Sequence, residues 1–120
     1  MKDFIVGRLK SLKFAVKGCY LLITTEHSVM VQTSLFSMIV ILGFYFDISK
    51  QDWINQILAM ALVLGIEGLN TAVEKIADFV HPDYHERIGF IKDIAAGAVT
   101  FAALACMTII LMIYLPYFLE

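Results

Sequence analysis

The sequence predicts an all-α membrane protein. An amphipathic surface helix over about residues 4–25 precedes transmembrane helices over about 28–47, 52–79 and 89–117, all in one domain. Three observations carry this. The 120 residues are 60% hydrophobic and 17% charged, with a mean hydropathy of +0.80, whereas soluble domains run nearer 25% charged. A soluble fold of this size has too little interior to hide so much apolar surface. The stretches His27–Phe46 and Ile94–Leu119 contain no Asp, Glu, Lys or Arg, and each is long enough to cross about 30 Å of hydrocarbon as a helix. Basic residues are distributed unevenly, and that asymmetry sets the topology. The net charge of −2 gives no support to a nucleic-acid partner.

The first element is "FIVGRLKSLKFAVKGCYLLI". Ile5, Leu9, Leu12 and Val16 recur at helical spacing, with Lys10, Lys13 and Lys17 on the opposite face. This pattern describes a helix lying in the membrane interface, or a basic anchor that only fixes topology. It is not a signal peptide, because charges interrupt its apolar run. Cys19 and Cys106 lie far apart in apolar contexts, without C-x-x-C spacing, and read as packing residues.

The second span is different. "WINQILAMALVLGI" is fourteen residues, about 21 Å as a helix, too short to cross. It runs directly into "EGLNTAVEKIADFV", with no break before His81-Pro82. The helix therefore continues through Asp78 and carries carboxylates to membrane depth or to the membrane's edge. Lys2, Arg8, Lys10, Lys13 and Lys17 before the first span, and Lys75, Arg87 and Lys92 around the last loop, place both regions in the cytoplasm. The "FDISKQD" turn and the C-terminus then lie outside.

At 100° per residue, Glu67, Asn70, Glu74 and Asp78 fall within an arc of about 80°, with Thr71 beside them. Glu67 and Glu74 are about 10 Å apart along the axis, comparable to a triphosphate. A carboxylate in hydrocarbon is costly, so this face must meet protein, water or cations. It can fix helix packing through ion pairs, carry protons in a transporter, line a cation pore, or do phosphate chemistry. The third span opens with "FIKDIAAGAV", where Lys92 and Asp93 precede small residues that permit close helix approach. Lys92 can pair with Asp78 or neutralise phosphate, while carboxylates can hold Mg²⁺.

"EGLNTAVEKIAD" followed by "KDIAAGAV" resembles the prokaryotic integral-membrane diacylglycerol kinase and undecaprenol kinase family. The likeness extends to the acid in "TTEHS", the "YHE" loop and the order of spans. It implies an ATP-dependent lipid kinase of the bacterial cytoplasmic membrane, working with Mg²⁺ as a homotrimer on diacylglycerol or undecaprenol. The resemblance makes Glu67 the base that takes the lipid hydroxyl's proton. It assigns Glu26 and Glu74 to Mg²⁺, Asn70 to positioning, and Lys92 with Asp93 to the nucleotide. Asp78 matches a polar position, and Lys10, Phe14 and Lys17 are further candidates for nucleotide contact. No phosphate-binding glycine loop is present, so ATP is implied by the resemblance alone.

Two departures bear on the acceptor. "HSVMVQ" follows Glu26 where diacylglycerol-specific relatives carry a more charged run, and Ala96 stands where those relatives have a serine. The "AAGAV" form is more similar to the undecaprenol kinase branch. The competing readings are a small proton-coupled transporter or cation channel subunit, and an accessory subunit that binds a partner helix.

Overall fold

The computed structural model describes residues 1–120. It contains four helices and no strand: α1 (Lys2–Thr25), α2 (His27–Phe46), α3 (Lys50–Val80) and α4 (Glu86–Leu119). The last three are long and apolar enough to cross a membrane. At 1.5 Å per residue α3 and α4 measure about 46 and 51 Å, so both outrun about 30 Å of hydrocarbon and project charged ends beyond it.

The junctions follow from local chemistry. A single residue, Glu26, breaks the chain between α1 and α2 with extended backbone (φ −103°, ψ 115°). Its N–H donates to Leu22 O, closing α1, and its carbonyl accepts from Met30 N, opening α2. Asp47 ends α2 in the left-handed region (φ 50°), the one non-glycine residue in the chain with positive φ. A short polar side chain tolerates that conformation better than most. Ser49 then caps α3, its Oγ accepting from Asp52 N at 3.1 Å. Pro82 disfavours helix at His81, where α3 stops. His85 caps α4 by accepting from Arg87 N at 3.0 Å.

The core lies between α3 and α4. Ala59, Met60 and Val63 pack against Ala102 and Cys106, and Phe36, Ile39 and Val40 of α2 cover them. The small residues let these backbones approach closely. Nearer the α2–α3 turn, Ile48, Ile113 and Tyr114 form a second cluster with Trp53 and Phe46. Gln56 is completely buried there, its Oε1 2.7 Å from the Tyr114 hydroxyl. Gly43 permits this packing. A Cβ on it would stand 2.8 Å from the Trp53 ring and 3.1 Å from the Tyr114 oxygen.

The α1 helix buries no residue. Its C-terminal end approaches α3 at Gly68, where an added Cβ would lie 3.0 Å from Leu22 Cδ1. The two cysteines are free, Cys19 exposed and Cys106 buried.

Candidate functional site

The polar stripe of α3 is divided between a buried and an exposed half. Glu67, Asn70 and Thr71 are all less than a tenth exposed, whereas Glu74 and Asp78 are exposed. Cover from α2 accounts for the buried half, since Ser28 and Gln32 lie against Glu67, and the membrane's edge falls at a similar point. About twenty residues span the hydrocarbon, so a span counted from Trp53 ends near Ala72 and leaves the later carboxylates in the interface.

Glu67 is satisfied from the neighbouring helix. Ser28 Oγ donates to its Oε1 at 2.8 Å, and Gln32 Nε2 donates to its Oε2 at 3.4 Å. Both oxygens of a buried carboxylate are thus held by neutral donors of α2, with no basic residue against it among the ion pairs. A carboxylate held this way is oriented, and no cation competes for its lone pairs. Asn70 Nδ2 donates to Glu74 Oε1 at 3.4 Å, while Asn70 Oδ1 is buried with no partner. An unmet amide oxygen is of the type a hard cation takes as a ligand.

Glu26 joins this group because the break between α1 and α2 turns it toward α3. Its carboxylate pairs with Lys75 at 3.2 Å. An open cavity of about 590 Å³ lies beside this pair, lined by Thr25, Glu26, Gly68, Thr71, Lys75 and four further residues. It is wide enough for a polar ligand and offers two hydroxyls, a carboxylate and an ammonium. No three acidic, histidine or cysteine side chains converge into a cage of their own. A Mg²⁺ site completed by phosphates needs only one or two carboxylates. Glu26 and Glu74 are the accessible carboxylates of this region that could hold such an ion.

Other expected residues stand apart. Lys92 forms an ion pair with Asp78, tying the start of α4 to the end of α3. Asp93 and Ala96 are exposed on α4 and do not line the cavity. Lys10, Phe14 and Lys17 are exposed on α1, and neither lysine has an ion-pair partner.

Three contributors were not singled out from the sequence: Ser28, Gln32 and Lys75. Ser28 and Gln32 left a signal, a polar pair four residues apart on one face of an otherwise uncharged span. Lys75 is adjacent to Glu74, and its sequence context marks topology alone.

A family model described as prokaryotic diacylglycerol kinase matches residues 13–114. An undecaprenol kinase of Bacillus subtilis is 32% identical over 108 residues, covering 89% of this chain and 87% of that protein. A diacylglycerol kinase of a Synechocystis species is 45% identical over 53 residues, covering 43% of this chain and 30% of its own.

Proposed function

The chain belongs to the prokaryotic diacylglycerol kinase family, and from that premise we propose that it moves the γ-phosphoryl group of MgATP to the hydroxyl of diacylglycerol or undecaprenol. One observation carries the assignment of roles. Glu67 is buried and held at both carboxylate oxygens by α2, on the face of α3 that also presents Asn70 and Glu74. Phosphoryl transfer asks little covalent work of a protein, and catalysis is positioning plus charge stabilisation.

In this reading Glu67 accepts the hydroxyl proton. A base must lie within hydrogen-bond reach of the proton it takes, and Ser28 and Gln32 fix where that reach begins. Glu26 and Glu74 would hold Mg²⁺, which would supply positive charge against the phosphates. Asn70 keeps Glu74 in place through its amide and offers Oδ1 as a further oxygen ligand. Lys75 neutralises Glu26, and its ammonium would be free to meet phosphate if Glu26 held a metal. Lys92 and Asp93 serve the nucleotide, as do Lys10, Phe14 and Lys17. Lys92 does so while paired to Asp78. The working form is a homotrimer in the cytoplasmic membrane, its N-terminus and site on the cytoplasmic side. The unburied α1 leaves ample surface for such contacts.

The test is phosphate transfer from radiolabelled ATP in mixed micelles, with each lipid offered separately. Mg²⁺-dependent label in a lipid, lost in Glu67→Gln, supports the reading. Proton flux without ATP in proteoliposomes, with no lipid labelled, replaces it by the transporter.

A further inference from the structure

The link between α3 and α4 holds two histidines that meet edge to face. His81 ends α3 and His85 caps α4, and their ring centroids are 5.3 Å apart at an interplanar angle of 65°. His85 is exposed, so water can deliver a proton to it. Neither residue enters the site described above.

Their hydrogen bonds fix two different tautomers. His81 Nδ1 lies 2.7 Å from the carbonyl oxygen of Asp83. A carbonyl only accepts, so His81 Nδ1 carries a hydrogen. His85 Nδ1 accepts from Arg87 N at 3.0 Å. It therefore carries none, and the neutral ring holds its hydrogen on Nε2. Protonation then has opposite consequences for the two rings. His81 gains its proton at Nε2 and keeps its contact. His85 can gain one only at Nδ1, which removes the acceptor and leaves the Arg87 N–H, an orphan donor of the helix start, without its cap. The added charge also sits at the positive end of the α4 dipole and faces His81. The other charges at this end are Asp78 of α3, paired with Lys92 of α4, and Asp83, Glu86 and Arg87 on the loop and first turn. No carboxylate forms an ion pair with either imidazole.

We propose that His85 is a pH-sensitive latch on the start of α4, closed while its ring is neutral and open once the ring is protonated. Histidine changes charge between about pH 5 and 8, so the latch is closed at the upper end of that interval and opens as pH falls through it. On opening, the first turn of α4 loosens, and with it the approach of Lys92 to Asp78. This device is independent of the lipid kinase reading, and its test needs no turnover.

The experiment observes the purified full chain in detergent micelles by nitrogen-15 NMR over about pH 5–8. At the upper end, long-range imidazole correlations should place the hydrogen on Nδ1 of His81 and on Nε2 of His85. Solvent exchange of the Arg87 amide, corrected for its intrinsic pH dependence, should accelerate about fivefold as the His85 ring titrates, the effect of losing one ordinary cap. His85→Ser supplies a cap that does not titrate, and should keep Arg87 protected throughout. His85→Ala should leave it unprotected throughout, and His81→Gln should retain the response. The opposite pair of tautomers, or a wild-type acceleration that survives in His85→Ser, overturns the proposal. So does a response that disappears in His81→Gln, which places the switch on the other ring.

Discussion

Tyr114→Phe isolates the buried polar contact that joins all three spans. The Tyr114 hydroxyl lies 2.7 Å from Gln56 Oε1 and 3.0 Å from the carbonyl of Ile39. It has one hydrogen for two acceptors, while Gln56 Nε2 is buried without a partner. Rotating the amide by 180° removes the competition for that hydrogen, since amide O and N positions are assigned from such networks, and leaves Oε1 as the atom without a partner. Nε2 then donates to the phenol oxygen, and the phenol donates to Ile39 O.

Removing the phenol oxygen leaves a completely enclosed amide with no partner. An orphaned buried group costs about 1–3 kcal/mol. Interhelical hydrogen bonds in membranes average about 0.6 and reach about 1.7 kcal/mol, because the unfolded chain also finds partners. Tyr114→Phe should therefore destabilise by about 1–2 kcal/mol. Adding Gln56→Leu should recover part of that loss, giving a coupling of at least about 0.5 kcal/mol. SDS titration in mixed micelles, followed by far-ultraviolet circular dichroism, measures all four members of the cycle. A loss below about 0.3 kcal/mol for Tyr114→Phe, with the two changes additive, would refute the reasoning.

Gly43→Ala should destabilise by about 1–3 kcal/mol in the same titration, because its Cβ would overlap the Trp53 ring. Glu67→Gln should abolish lipid phosphorylation while nucleotide binding, followed with a fluorescent ATP analogue, changes little. Ser28→Ala removes a charge-assisted bond at an exposed residue. The loss should be about 1 kcal/mol, roughly fivefold in kcat, with KM for ATP constant and Ser28→Thr restoring the rate. Glu74→Gln should raise the Mg²⁺ concentration needed for half-maximal activity. An unchanged Mg²⁺ titration would remove Glu74 from the metal site.

Much of this architecture was legible because it depends on one helix at a time. Uncharged runs mark helices wide enough for the membrane, and 100° periodicity placed Glu67, Asn70 and Glu74 on one face before any partner was known. What periodicity cannot show is which helix covers that face. Ser28 and Gln32 meet Glu67 across 39 and 35 residues, and Tyr114 meets Ile39 across 75. Nothing in a local window encodes those separations. Lys75 illustrates the same limit. Its role depends on the backbone of Glu26 being extended, a property of the junction between helices.

The register of α2 against α3 is set at the end remote from Glu67. Residues 47–49 reverse the chain through the left-handed Asp47 and the Ser49 cap. Gly43, Trp53 and Tyr114 then fix how deeply the two helices seat. Slipping α2 by one residue would rotate its face by about 100° and carry Ser28 and Gln32 away from Glu67. The carboxylate would then be buried without donors, a far costlier state than the paired one. The turn, the Tyr114–Gln56 contact and the Glu67 contacts therefore specify one register from both ends of the same helix pair. A polar group buried at each end excludes the slipped alternatives that uniform apolar packing between α2 and α3 would tolerate.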